Sequence, residues 1–370
     1  MTDRRLAALT SVLETETTRR TALGRLAGVA ALLGVRSTAA PLIAAAQEAT
    51  PVTGASPVAS PTVPGEIVAQ GLTNPRGFTW SSDGTLYVAL AGNGGTSAGV
   101  VKIENGTATA VVDGLPSDVS DQGSVEGVAD VAFLGDDLYL LLEGAGPGHK
   151  APETPTGVYK VGADGKPTLV ADLSTWVKDN PTAEVPDHEP YGNPYKLLAG
   201  EDQLWVLIAT PDQVVTVKPD GTITRFVDLT KDGGHQVRTG IAAAPDGTLY
   251  VSALSPFPYE DGTTKVTKIA ADGTFSDAWT GLTAVTDVAV GQDGTLYALE
   301  LSTNNTPKTV MTPGTGKLVH QTGPATSEDV VTGLTAPIAM RFGADGQLYV
   351  ASPAVGADHG EGTIVKVATS

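Results

Sequence analysis

The chain predicts an all-β fold, a six-bladed β-propeller of four-stranded blades whose ring is closed by an N-terminal strand. Three observations carry this. The stretch Asp83-Gly84-Thr85-Leu86-Tyr87-Val88 recurs at Asp246 to Val251, Asp293 to Ala298 and Asp345 to Val350, with weaker copies at Asp136 to Leu140 and Asp202 to Val206. Its aromatic residue stands at 87, 139, 205, 250, 297 and 349, so the intervals are 52, 66, 45, 47 and 52 residues, the period of a propeller blade. Six strand ends are written alike: Gly71-Leu72, Gly114-Leu115, Asp172-Leu173, Asp228-Leu229, Gly281-Leu282 and Gly333-Leu334. The first of these precedes the first inner strand, whereas the last blade stops at Ser370 without a fourth strand. Glu66 to Ala69 therefore supply the missing strand and leave no open edge.

Taken in order, the chain begins with an export signal. Arg19-Arg20 precede a weakly apolar run, Leu26 to Val35, and Ala44-Ala45-Ala46 offer a cleavage site. This layout over residues 1–46 is that of a twin-arginine signal. The run is shorter than the ~20 residues that a spanning helix needs, so the mature protein is expected to have no integral membrane span. It is expected in the periplasm or outside the cell. Residues 47–65, rich in Pro, Ala, Ser and Thr, read as a disordered linker, and residues 66–370 form the propeller.

The chain carries no cysteine, which excludes disulfides and thiolate metal sites. Its net charge is −18. Removing residues 1–46 takes away six basic and three acidic residues and leaves −21. Nucleic acid is thereby excluded as a partner; cations and small polar ligands fit better.

Within each blade, short alternating runs mark the strands. In the first they are Gly77 to Trp80, Leu86 to Ala89, Val100 to Ile103 and Thr109 to Val112. Asp-Gly and Asn-Gly pairs between them are hairpin turns rather than calcium loops, since further oxygen ligands at alternate positions are missing. The turns between first and second strands are short in all six blades. Between third and fourth strands only Gln321 to Ser327 is stretched. The opposite face carries long connections at 116–126, 143–156, 174–193, 255–264, 301–316 and 352–362, together with His149, His188, His235 and His359. Long loops on a rigid scaffold point to function on that face.

Asp187-His188-Glu189-Pro190-Tyr191-Gly192-Asn193-Pro194-Tyr195 resembles the start of the third blade in the ScyD/ScyE family, exported propellers of scytonemin-biosynthesis type. Arg238-Thr239-Gly240-Ile241 with Pro256-Phe257-Pro258 is similar to that family's fourth blade, and Val285 to Ala289 with Leu299 to Thr303 to its fifth. The resemblance covers residues 66–370 and implies an exported six-bladed propeller. It carries no reaction with it.

Aligned on the Leu-Tyr anchors, the inner strands bring Gly77, Asp130, Lys196, Gly240, Asp287 and Ala339 to one position, with Arg76 and Arg238 within a residue of that level. Two readings apply. The aspartates accept backbone N–H bonds from neighbouring blades, or they line a polar site for a cation or for proton transfer. Asn193 and Lys196 join Arg76, Asp130, Arg238 and Asp287 as ligand-binding candidates. No His-Glu-x-x-His, Gly-x-Ser-x-Gly or phosphate-binding glycine loop occurs. Asp187-His188-Glu189 is the densest local cluster. Phe257 and Tyr259 form either an aromatic ledge for a ligand or a loop's private core.

Three functions follow. The first is a scaffold that binds a small polar ligand or an envelope protein on its long-loop face. The second is a hydrolase similar to the SMP-30/gluconolactonase propellers, with one divalent cation, Ca²⁺ or Zn²⁺, on Glu126, Asn193 and Asp287. Against it, Asn74-Pro75-Arg76-Gly77 stands where that family's metal-binding glutamate is expected. The third is an envelope-assembly spacer.

Overall fold

Asp-Gly turns, β-branched strands and small residues at close approaches build the same sheet six times. The computed structural model describes residues 64–120, 124–184, 190–306 and 311–368. The signal, most of the linker and the Asp187-His188-Glu189 cluster lie outside them. The described residues form a six-bladed β-propeller.

Blade 1 holds β2 (Pro75–Trp80), β3 (Leu86–Leu90), β4 (Gly95–Glu104) and β5 (Thr107–Val119), with the two-residue β6 (Val125–Glu126) added at its edge. Blade 2 is β7 (Val128–Leu134) to β10 (Pro167–Asp172) and blade 3 is β11 (Asn193–Ala199) to β14 (Ile223–Asp228). Blade 4 runs from β15 (Arg238–Ala243) to β18 (Phe275–Leu282), and blade 5 from β19 (Val285–Val290) to β22 (Thr326–Leu334). Blade 6 has β23 (Ala339–Phe342), β24 (Leu348–Ala351) and β25 (Gly362–Val367). Its fourth strand is β1 (Glu66–Leu72), paired antiparallel to β25. The ring closes as the strand count requires.

Each Asp-Gly turn is held by its own aspartate, whose Oδ1 accepts the amide two residues on: Thr85, Thr248, Thr295 and Gln347 donate at 2.9–3.1 Å. The Tyr anchors then pack edge-on against the inner strand of the next blade, Tyr87 on Phe133, Tyr297 on Phe342 and Tyr349 on Trp80, with centroids 5.0–5.4 Å apart. Apolar clusters fill the spaces between consecutive blades, for example Val100 and Val112 against Val131 and Leu140, and Leu299 and Leu318 against Met340 and Val350.

Three connections differ from expectation. Residues 116–119 continue β5, because Val119 and Asp118 pair with Val125 and Glu126. Residues 321–327 are an extended hairpin, not a loop. Pairing runs out to Gly323 and Thr326, and the tip braces blade 4 where Thr280 N donates to Pro324 O at 2.9 Å. Within 174–193, residues Leu173–Asp179 form a short helix, α1, capped by Asp172 Oδ1, which accepts from Thr175 N. Tyr259 is buried, with Phe257 packed against it, in a core cluster that also holds Tyr195, Leu301 and Ile338 of other blades, so this pair belongs to the shared core and is neither a ligand ledge nor a core private to its loop.

Candidate functional site

The inner strands bring the two aspartates into equivalent places, and both are tied to the next blade. Asp130 Oδ2 accepts from Leu197 N of blade 3 at 3.0 Å, and its Oδ1 from Val131 N at 2.8 Å. Asp287 repeats the motif, accepting from Met340 N of blade 6 at 2.9 Å and from Val288 N at 3.0 Å. A glycine precedes each: a Cβ on Gly77 would lie 1.7 Å from Asp130 Oδ1, and one on Gly240 would lie 2.7 Å from the Asp287 Cα. Each aspartate also meets a cation two blades away, on the far side of the glycine-bearing blade. Lys196 Nζ of blade 3 donates to Asp287 Oδ2 at 2.7 Å, and Arg341 Nη2 of blade 6 stands 3.7 Å from Asp130 Oδ2. Burial pushes the Asp287 carboxyl above its ordinary range, and Lys196 and the Met340 amide only partly offset it.

On the long-loop side of this ring, one continuous cluster gathers buried apolar side chains from blades 1, 3, 4, 5 and 6, among them Ala91, Tyr195, Tyr259, Leu301 and Ile338. Burial raises the Tyr195 phenol well above its usual range, and its ring lies within electrostatic reach of Arg76, Glu143, Asp287 and Asp130. Sequence reasoning missed both Tyr195 and Arg341, although Tyr195 directly precedes the aligned Lys196.

The two aligned arginines have partners within the fold. Arg76 Nη1 donates to Ala354 O at 2.9 Å and Nη2 to Val125 O at 2.8 Å. Arg238, fully buried, donates to Asp232 Oδ2 at 2.7 Å and to Thr267 Oγ1 at 2.8 Å, while Lys265 pairs with the same Asp232 at 2.8 Å. His235 Nδ1 meets Asp212 Oδ2 at 2.6 Å, which fixes the connection into blade 4.

Glu126 belongs to a different group. His149 Nδ1 lies 3.2 Å from Glu126 and 3.3 Å from Asp118, and Lys150 Nζ lies 2.8 Å from Asp118. One imidazole nitrogen bridges two carboxyls, so their affinities for protons separate. Burial and the Asp118 charge push Glu126 up to about 7, with Arg76 opposing. Asp118 is itself raised by burial, but Lys150 and His149 outweigh this and hold it below its ordinary value.

A divalent cation on Glu126, Asn193 and Asp287 does not fit this arrangement. Asp287 is committed to Lys196 and two amides, and Glu126 to the His149 group. The buried Oδ1 of Asn193 has no partner, yet one orphan oxygen is not a coordination sphere. Among the described residues no group of three or more His, Cys, Asp or Glu side chains is placed to hold a metal ion. None of their helices is long and apolar enough to cross a membrane.

No family model matches the chain, and no curated protein does. Solved structures do. A calcium-binding protein, regucalcin, from Agrobacterium tumefaciens aligns with a TM-score of 0.54 at 12% identity, over 82% of this chain and 95% of its own. A putative oxidoreductase (glucose dehydrogenase) from Thermus thermophilus aligns at 0.53 and 14%, over 82% and 99%. The PQQ-bound aldose sugar dehydrogenase from Streptomyces coelicolor aligns at 0.53 and 13%, over 81% and 96%. At this identity the likeness establishes the propeller fold and leaves the chemistry to this chain's own residues.

Proposed function

We propose that this chain is an exported propeller of ScyD/ScyE type that acts as a binding scaffold, docking an envelope protein on its long-loop face. The observation that carries the reading is how that face is fixed. Arg238, Asp232, Lys265, His235 and Asp212 lock one set of connections, and Arg76 with the Asp118, Glu126 and His149 group locks another. The described connections that these groups hold form a preorganised part of that surface, which lowers the ordering cost of association. The aligned aspartates, meanwhile, have architectural partners. Arg19-Arg20 ahead of an apolar run supports export, and the motifs around Asn193, Arg238 and Asp287 support the family.

The hydrolase reading keeps one observation, the partnerless Asn193 Oδ1. It draws on regucalcin, described as calcium-binding, as a fold neighbour.

Photo-crosslinking in the producing cell tests the scaffold. A photoreactive residue at exposed Glu153 or Glu260, on the long-loop face, is expected to give adducts of discrete mass. At exposed Asp83 or Asp246, on the other face, it is expected to give none. Equal labelling from both faces, or no adduct at all, would refute the reading. Retained metal in the purified protein, with a melting temperature raised by Ca²⁺ or Zn²⁺, would favour the hydrolase instead.

A further inference from the structure

The short-turn face carries a feature that the scaffold reading does not use. Three residues beyond the aligned ring stand Trp80, Phe133, Ala199, Ala243, Val290 and Phe342. Blades 6, 1 and 2 thus end in aromatic rings, each braced edge-on by a Tyr anchor. Blades 3, 4 and 5 end in small side chains. Beside this gap lies an axial cavity of about 240 Å³, walled by apolar groups such as Ala132, Ile241 and Val288 and carrying Lys196, Asp287 and Arg341. A second cavity of about 490 Å³ lies over the first turns of blades 4 and 5, and shares Ala243, Val290 and Phe342 as walls. Together they form a trough that runs from the axis outwards, within the size range of small-molecule sites.

Its polar end has donors to spare. Asp130 and Asp287 already accept backbone amides on both oxygens, and Asp287 also accepts Lys196. Lys196, 4% exposed, commits one of its three N–H groups to Asp287. Arg341, with a side chain 28% exposed, donates to Leu197 O over a long 3.4 Å and stands beyond hydrogen-bond distance from Asp130. A guanidinium has five donors in a planar fork suited to a carboxylate.

We propose that this trough binds a small organic carboxylate with an apolar body, its carboxylate on Arg341 and Lys196 and its body over Ala243 and Val290. Every carboxylate oxygen at that end already accepts a backbone amide, and Lys196 and Arg341 stand beside the two aspartates, which disfavours a further cation. The apolar walls favour a hydrocarbon or aromatic body over a sugar. The site lies on the face opposite the docking surface, so the two readings stand or fall separately.

Calorimetric titration of the full chain with octanoate and with benzoate tests this, with octylammonium and octan-1-ol as matched probes. One of the two carboxylates is expected to bind near 1:1, with the ammonium and the alcohol at least about tenfold weaker. Arg341→Gln should weaken the carboxylate by about tenfold or more. Ala243→Phe, at an exposed position, should fill the trough and weaken it likewise. Should Arg341→Gln fail to fold, Ala243→Phe decides. Absence of binding by both carboxylates overturns the proposal. So does octylammonium binding as tightly, or unchanged carboxylate affinity in the folded Arg341→Gln protein.

Discussion

Gly77 and Gly240 decide where Asp130 and Asp287 can sit. Each removes a Cβ that would collide with the following blade's aspartate or its backbone, and each lets a distant cation reach across. Three blades separate the two sets, so the ring has an approximate two-fold arrangement of glycine, aspartate and amide. Charge is handled differently at Glu126. Asp118, Arg76, His149 and Lys150 all face it or its neighbour. With a folded pKa near 7 against an ordinary 4.5, its contribution to stability is fully present below about pH 4.5 and is lost as pH rises through 7. Glu126→Gln removes that loss. The variant is expected to match the wild type at pH 5 and exceed it at pH 8 by roughly 1–3 kcal/mol. Chemical denaturation at both pH values checks this; parallel pH dependence in the two proteins would rule it out.

At the scale of single elements, the hairpin turns separate conformational strain from packing. Gly247 has φ +82° and no atom within 4 Å of an added Cβ, whereas at Gly165, with φ +76°, the added Cβ would lie 2.6 Å from Val111 O of blade 1. Gly247→Ala is expected to cost about 1–2 kcal/mol from the left-handed conformation alone. Gly165→Ala should cost more, because its hairpin must back away from the neighbouring blade. Melting temperatures of the two variants decide the point, and equal losses would mean that the hairpin contact carries no weight. These turns were legible in the sequence because an Asp-Gly pair between alternating strands is a local signal, and so was the ring position of Asp130, Lys196 and Asp287. The pairings at that position were not. Lys196 and Asp287 are 91 residues apart, and Arg341 sits two residues off the aligned level, so no local pattern joins it to Asp130. Residues 321–327 misled for a related reason: Gln, Thr and Gly there read as a loop, but blade 4 supplies the partner that keeps them paired.

For the whole molecule, everything depends on a closure between residues about 300 positions apart in the chain. Glu66 pairs with Lys366, Ile67 with Val365, Ala69 with Ile364 and Leu72 with Gly362. Ala69 and Leu72 are each 1% exposed, in the cluster that also holds Phe78, Val88 and Ile364. Bringing such distant segments together has an entropic cost that grows only logarithmically with length, so a few buried side chains and a strand's worth of hydrogen bonds outweigh it. A chain that begins at Gly65 keeps every one of these contacts and is expected to melt like the full-length protein. One that begins at Gly71 loses Ala69 and the outer pairings, leaves β25 as a bare edge, and should melt roughly 5–10 °C lower. An unpaired edge recruits strands, so the shortened protein should also self-associate. A synthetic peptide of residues 64–72 should reverse both effects by strand addition. Scanning calorimetry with sedimentation measures the two together. A monomer with an unchanged melting temperature would show that the remaining blades hold the ring without their clasp.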